Sequence, residues 1–151
     1  MPTYLIMGVL AAVAAGFLEL AASLIAEIVP APSGNDWTFF APFLGLLVFA
    51  IIEESVKLAT IGKLIRRFPS EAAFTLSLVL FGIGFGGTEI FIARAMFPEM
   101  PVPALVGIPT LHLVTALLYG YAVRQNVPKL LWPASFLLGT LLHFFYNVFL
   151  A

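Results

Sequence analysis

Five long apolar stretches, near residues 3–29, 38–66, 71–95, 103–124 and 130–150, leave little of this chain outside them. A helix needs about 20 predominantly apolar residues to span the hydrocarbon of a bilayer. Each stretch meets that length. The breaks between them are VPAPSGND at 29–36, RRFPSE at 66–71, FPEMPVP at 97–103 and RQNVPK at 124–129. Pro, Gly and charge punctuate them, as they do loops. Ser70 is placed to cap the third helix. The pattern predicts an all-α fold: one domain, a polytopic membrane bundle of about five transmembrane helices. No fixed-period repeat is visible.

Composition agrees. The chain is 62% hydrophobic and 10% charged, with mean hydropathy +1.08. A soluble domain carries about 25% charged and about 45–50% apolar residues. Lipid is therefore the expected solvent and partner. The net charge is −1 and no basic stripe is present, so a nucleic-acid partner is not expected. Cys is absent, which excludes disulfides and thiolate chemistry. The first stretch, Tyr4 to Val29, is too long for a signal-peptide core and lacks a basic lead-in. It reads as a span, not a cleaved leader.

Lys and Arg set orientation. Lys63, Arg66 and Arg67 flank one loop; Arg124 and Lys129 flank another. In a five-span chain these loops share a side. The other two carry Asp36 and Glu99, with Arg94 as the nearby base. The basic loops are expected in the cytoplasm. The N-terminus is then cytoplasmic and the C-terminus extracytoplasmic, in a multi-pass protein of the cell membrane. Trp37 and Trp132 fall at the expected interfaces.

Against this background, the polar residues inside the spans stand out: Glu19, Glu53, Glu54, Lys57, Glu89, His112, His143 and Asn147. A charge at mid-membrane costs about 2.5–3.5 kcal/mol on insertion scales. Such groups should face the bundle interior and find one another. At about 1.5 Å per residue, Glu53 lies roughly 20 Å from Arg66, His112 roughly 18 Å from Arg124 and His143 roughly 21 Å from Lys129. Glu89 lies roughly 27 Å from Glu71. Four helices thus place ionisable groups in one layer, from mid-membrane toward the outer face.

Local spacing sharpens this. Glu53 and Lys57 are i,i+4 and share a face; Glu54 points about 100° away. His143 and Asn147 are also i,i+4. Gly82 and Gly86 form a GxxxG ahead of Glu89, which permits close helix approach. Gly107 and Pro109 precede His112, where Pro removes a helix hydrogen bond.

Two histidines and several carboxylates can bind Zn2+ or another divalent metal. There is no HExxH, so any such site is assembled between helices. The same groups can work without metal. A buried carboxyl can take a proton from water, and His143 and Asn147 could donate hydrogen bonds to an oxyanion. Both routes lead to hydrolysis of an acyl bond, most simply a peptide.

These residues resemble the motifs of the PrsW family of intramembrane proteases. Glu53-Glu54-Ser55-Val56-Lys57 resembles its EExxK. The stretch from Phe81 through Gly84 and Phe85 to Glu89 resembles its GxGFxxxE. His112 sits where its third motif has a histidine, and His143 to Asn147 resembles its HxxxN. PrsW belongs to a clan with the CAAX prenyl proteases and bacteriocin-processing proteases, which carry EExxxR and FxxxH instead. The resemblance covers residues 53–147. It implies an integral membrane endopeptidase acting on membrane-associated substrates, as in the first cleavage of an anti-sigma factor. It implies Glu53 or Glu54 as base or ligand, with Glu89, His112 and His143 as ligands or partners and Asn147 as oxyanion donor. Where a metal is bound, Glu54, Glu89, His112 and His143 are its implied ligands. Lys57, Gly82 and Gly86 support them.

Other readings stay open. Glu53, Glu54 and Lys57 could form a structural ion pair, and each histidine could be a satisfied core residue. Glu19 matches the layer in depth but no motif includes it, so a structural or substrate-groove role is expected. A non-catalytic scaffold of the same clan and a small proton- or cation-coupled transporter are the alternative functions. Transporters usually show internal repeats.

Overall fold

The computed structural model describes residues 2–28, 37–64, 70–123 and 128–150. The chain forms five α-helices: α1 (Pro2–Ile28), α2 (Trp37–Leu64), α3 (Glu71–Met96), α4 (Val102–Ala122) and α5 (Leu131–Leu150). Among the described residues there is no strand. The expected spans are met within about two residues at each described end. Ser70 caps α3 by accepting a bond from the Ala73 amide at 3.2 Å. α4 runs through Pro109 without interruption. The 29–36 turn lies outside the described residues, as do Arg66, Arg67 and Arg124 of the orientation argument. Trp132 is partly exposed and lies over Gly62, at the Lys63 end of α2; the Trp37 side chain is outside the described set.

Helix contacts close a ring. α3 packs on α1 and α4, α1 on α2, α2 on α5, and α5 on α4. A further α2–α4 contact crosses the middle. Burial departs from that of a soluble protein, although Phe74, Leu78, Phe81 and Phe85 still form an apolar core. Phe17, Phe91 and Phe149 are among the most exposed side chains, while Glu54, Lys57, His112 and His143 are fully buried. An apolar exterior around buried ionisable groups suits lipid as solvent. Three helices, α1, α3 and α4, are long and apolar enough to cross a membrane. α2 carries three charged groups in its middle, and α5 is the shortest, at 20 residues.

Glycines set the spacing of α3. A methyl on Gly82 would lie 2.8 Å from the Leu113 Cα, and one on Gly86 2.7 Å from the Pro109 Cα. The expected GxxxG approach therefore joins α3 to α4. On its other side, Gly84 lies against the Leu5 backbone of α1, and Gly8 of α1 lies against the Phe81 carbonyl. Gly87 faces open space. Gly86→Ala should therefore destabilise the bundle by about 1–3 kcal/mol through overpacking. Gly87→Ala should be neutral or gain up to about 1 kcal/mol of helix propensity. Denaturant unfolding in micelles reads both; equal responses would contradict the packing described.

Candidate functional site

The ring brings the expected residues together. α2 supplies Glu53, Glu54 and Lys57, α3 supplies Glu89, α4 His112 and α5 His143. Glu53 is 8% exposed, and Glu54, Lys57, His112 and His143 are 0% exposed. The buried face of α4 carries Ile108, His112, Thr115, Ala116 and Tyr119. These recur at helical spacing, so one stripe delivers three polar groups to the interior.

Two sub-clusters share the site. In the first, Lys57 Nζ donates to Glu54 Oε1 at 2.5 Å and to Thr115 Oγ1 at 3.3 Å. It also lies 4.8 Å from the centre of the Phe85 ring, a cation–π position. His143 Nδ1 meets the same Glu54 Oε1 at 2.8 Å. Tyr119 donates its hydroxyl to Glu54 Oε2 at 2.6 Å. Both oxygens of Glu54 are thus engaged by the protein itself.

In the second, His112 Nε2 meets Glu89 Oε2. Glu53, Glu89 and His112 each place one ligand-type atom within 4.8 Å of the others. His143 Nε2 lies 3.7 Å from Glu53 Oε2, and the two imidazole rings stand edge to face, 5.5 Å apart. Phe85 packs on His112 at 4.7 Å between ring centres. Glu19 of α1 reaches the Glu53 carboxyl, so all five helices contribute. Glu53 Oε2 and His143 Nε2 are buried without a hydrogen-bond partner, as are Glu19 Oε1 and His112 Nδ1.

Several expectations change in detail. Glu53 and Lys57 share a helix face by spacing, but the ammonium bonds Glu54. A residue three positions away is as much a helix neighbour as one four away, and Glu54 is the carboxyl turned toward α4 and α5. Glu54 and His143, both expected metal ligands, stand outside the group that could hold an ion; Glu53 joins Glu89 and His112 there instead. Asn147 is half-buried, and among the described residues none of the cluster's bonds runs to it. Tyr119, Thr115 and Phe85 belong to the site without having been singled out as polar members. Their only signal was position on the His112 stripe or inside the glycine-rich motif.

The donor set fits a divalent cation. Buried polar groups normally find partners, yet here a carboxylate oxygen and an imidazole nitrogen converge without any. Four carboxyl groups, of Glu19, Glu53, Glu54 and Glu89, share the interior with one ammonium, where unpaired charge is costly. An ion there would complete both accounts. The chain matches no family model, no curated protein and no solved structure.

Proposed function

We propose that this chain is an intramembrane endopeptidase of PrsW type, hydrolysing peptide bonds of membrane-associated substrates. The observation that carries the reading is the convergence of Glu53 Oε2 and His143 Nε2, buried and unpartnered, beside Glu89 and His112. Hydrolysis adds water to the scissile carbonyl carbon, breaks the C–N bond and returns a proton to the leaving amine. Glu53 is the carboxylate placed to take the proton from water, since its free oxygen faces the site. Glu54 holds His143 and is neutralised by Lys57. Asn147, one turn beyond His143, is the donor available to the developing oxyanion.

Glu53, Glu89 and His112, with His143 beside them as a further donor, are the residues that would hold a divalent ion, zinc by the nature of its donors. Such an ion supplies Lewis-acid polarisation of the carbonyl. The alternative form of the same reading relies on Glu53 alone to activate water. We further place α2 and α5 across the membrane with the other three helices, because the ring needs all five at one depth. The Lys63 and Lys129 ends lie on the cytoplasmic side, which puts the N-terminus there and the C-terminus outside.

Metal content and cleavage of transmembrane peptides, measured on one purified sample, test the reading. Wild type should cut, and His143→Ala should lose cleavage at least about 100-fold, within the range for a catalytic-site group. Zinc lost together with activity selects the metal form. Activity in metal-free protein selects the glutamate form. A folded wild type that cuts no member of a varied peptide panel sinks the protease reading and favours a scaffold or a cation-coupled carrier.

A further inference from the structure

The proposed reading gives Glu54 the task of holding His143, but a carboxylate on a mobile side chain must itself be held. We propose that Tyr119 is a positioning residue: through Glu54 it fixes the His143 ring so that Nε2 faces the site. This rests on the reading of the site given above.

Four observations carry it. Tyr119 is fully buried, and its hydroxyl donates to Glu54 Oε2 at 2.6 Å. The other oxygen, Oε1, accepts from Lys57 and meets His143 Nδ1 at 2.8 Å. A carboxylate oxygen offers only lone pairs, so the ring nitrogen against it is the one bearing hydrogen. In the neutral imidazole Nε2 is then the free nitrogen, and it is the one that lacks a partner and lies 3.7 Å from Glu53.

The fourth observation is on α5. A methyl group added to Gly139 would strike the Tyr119 hydroxyl and lie 2.8 Å from its Cζ. Gly139 precedes His143 by four residues, one turn away on the same face. The helix that carries the imidazole therefore also carries the gap into which the phenol fits. A phenylalanine would fill the apolar part of this space equally well. The buried hydroxyl is costly unless bonded, and its bond goes to the carboxylate behind the histidine. Residues standing behind a ligating imidazole set its tautomer and ring orientation.

The test uses wild type, Tyr119→Phe and Gly139→Ala in micelles. Three quantities are read: Co2+ affinity by chelator competition, the 15N spectrum of the His143 imidazole, and thermal unfolding. Tyr119→Phe should stay folded, weaken Co2+ binding about 10–100-fold and convert a single His143 tautomer into a mixture. Gly139→Ala keeps the tyrosine but displaces its hydroxyl, and should give the same two changes. It decides the matter where Tyr119→Phe fails to fold. An unaltered His143 spectrum in a folded variant overturns the inference. Wild type that binds no Co2+ overturns the metal form of the function while the spectrum still judges Tyr119. Wild-type Co2+ binding with Tyr119→Phe affinity unchanged overturns Tyr119 and leaves the function standing.

Discussion

Glu53→Gln should abolish cleavage, by about 10²–10⁴-fold in kcat, the range for losing a general base, while leaving the bundle folded. The two halves of that expectation have separate causes. Glu53 Oε2 has no hydrogen-bond partner, so replacing the carboxyl by an amide breaks no bond at that oxygen. It also removes one of four carboxyl groups crowded around a single ammonium. Stability should hold or rise. Activity depends on the same unpartnered oxygen, because it is the one free to receive a proton. The paired measurement is kcat and the unfolding midpoint on one preparation. A folded Glu53→Gln that still cuts at the wild-type rate would remove Glu53 from the chemistry and return the role of base to Glu54.

How much of this was legible beforehand follows from what each signal depends on. The helices came from runs of apolar residues, which lipid selects directly, so their ends fall close to where they were expected. The polar layer was also legible, because helix rise converts residue number into depth. Glu53, Glu89, His112 and His143 meet as that count implies. The GxxxG of Gly82 and Gly86 joins α3 to α4, but the opposite glycine face, Gly84 on Leu5, gave no recognisable spacing. Rotation about the helix axis is not set by apolar runs or by helix rise. Glu53 and Glu54 differ by one position, and choosing which one Lys57 bonds requires knowing where α4 and α5 lie. Tyr119 was invisible for another reason. A tyrosine in an apolar helix carries no periodic signal, and the partner of Tyr119 is 65 residues away in the chain. Gly139 likewise reads as ordinary small-residue packing until the phenol is seen in its gap.

The second large effect concerns the pair that Glu53 does not join. Lys57 and Glu54 are both fully buried and 2.5 Å apart. Removing one partner of a buried pair leaves the other charge uncompensated and costs about 3–5 kcal/mol. Lys57→Met and Glu54→Gln should therefore each destabilise the bundle by that order. Their combination should cost less than the sum by about 1–3 kcal/mol, the coupling expected of residues in one network. Glu54→Gln should be the worse single change, because Glu54 also receives His143 and Tyr119, and an amide oxygen cannot replace both carboxylate oxygens. Activity separates the two charges further. Lys57→Met leaves the Glu54–His143 contact in place, so any folded fraction should keep measurable cleavage. Folded Glu54→Gln should not, since His143 loses the acceptor that orients it. Additive losses in the double variant would mean that the ammonium and the carboxylate do not act as a pair, and the compensating role assigned to Lys57 would fail.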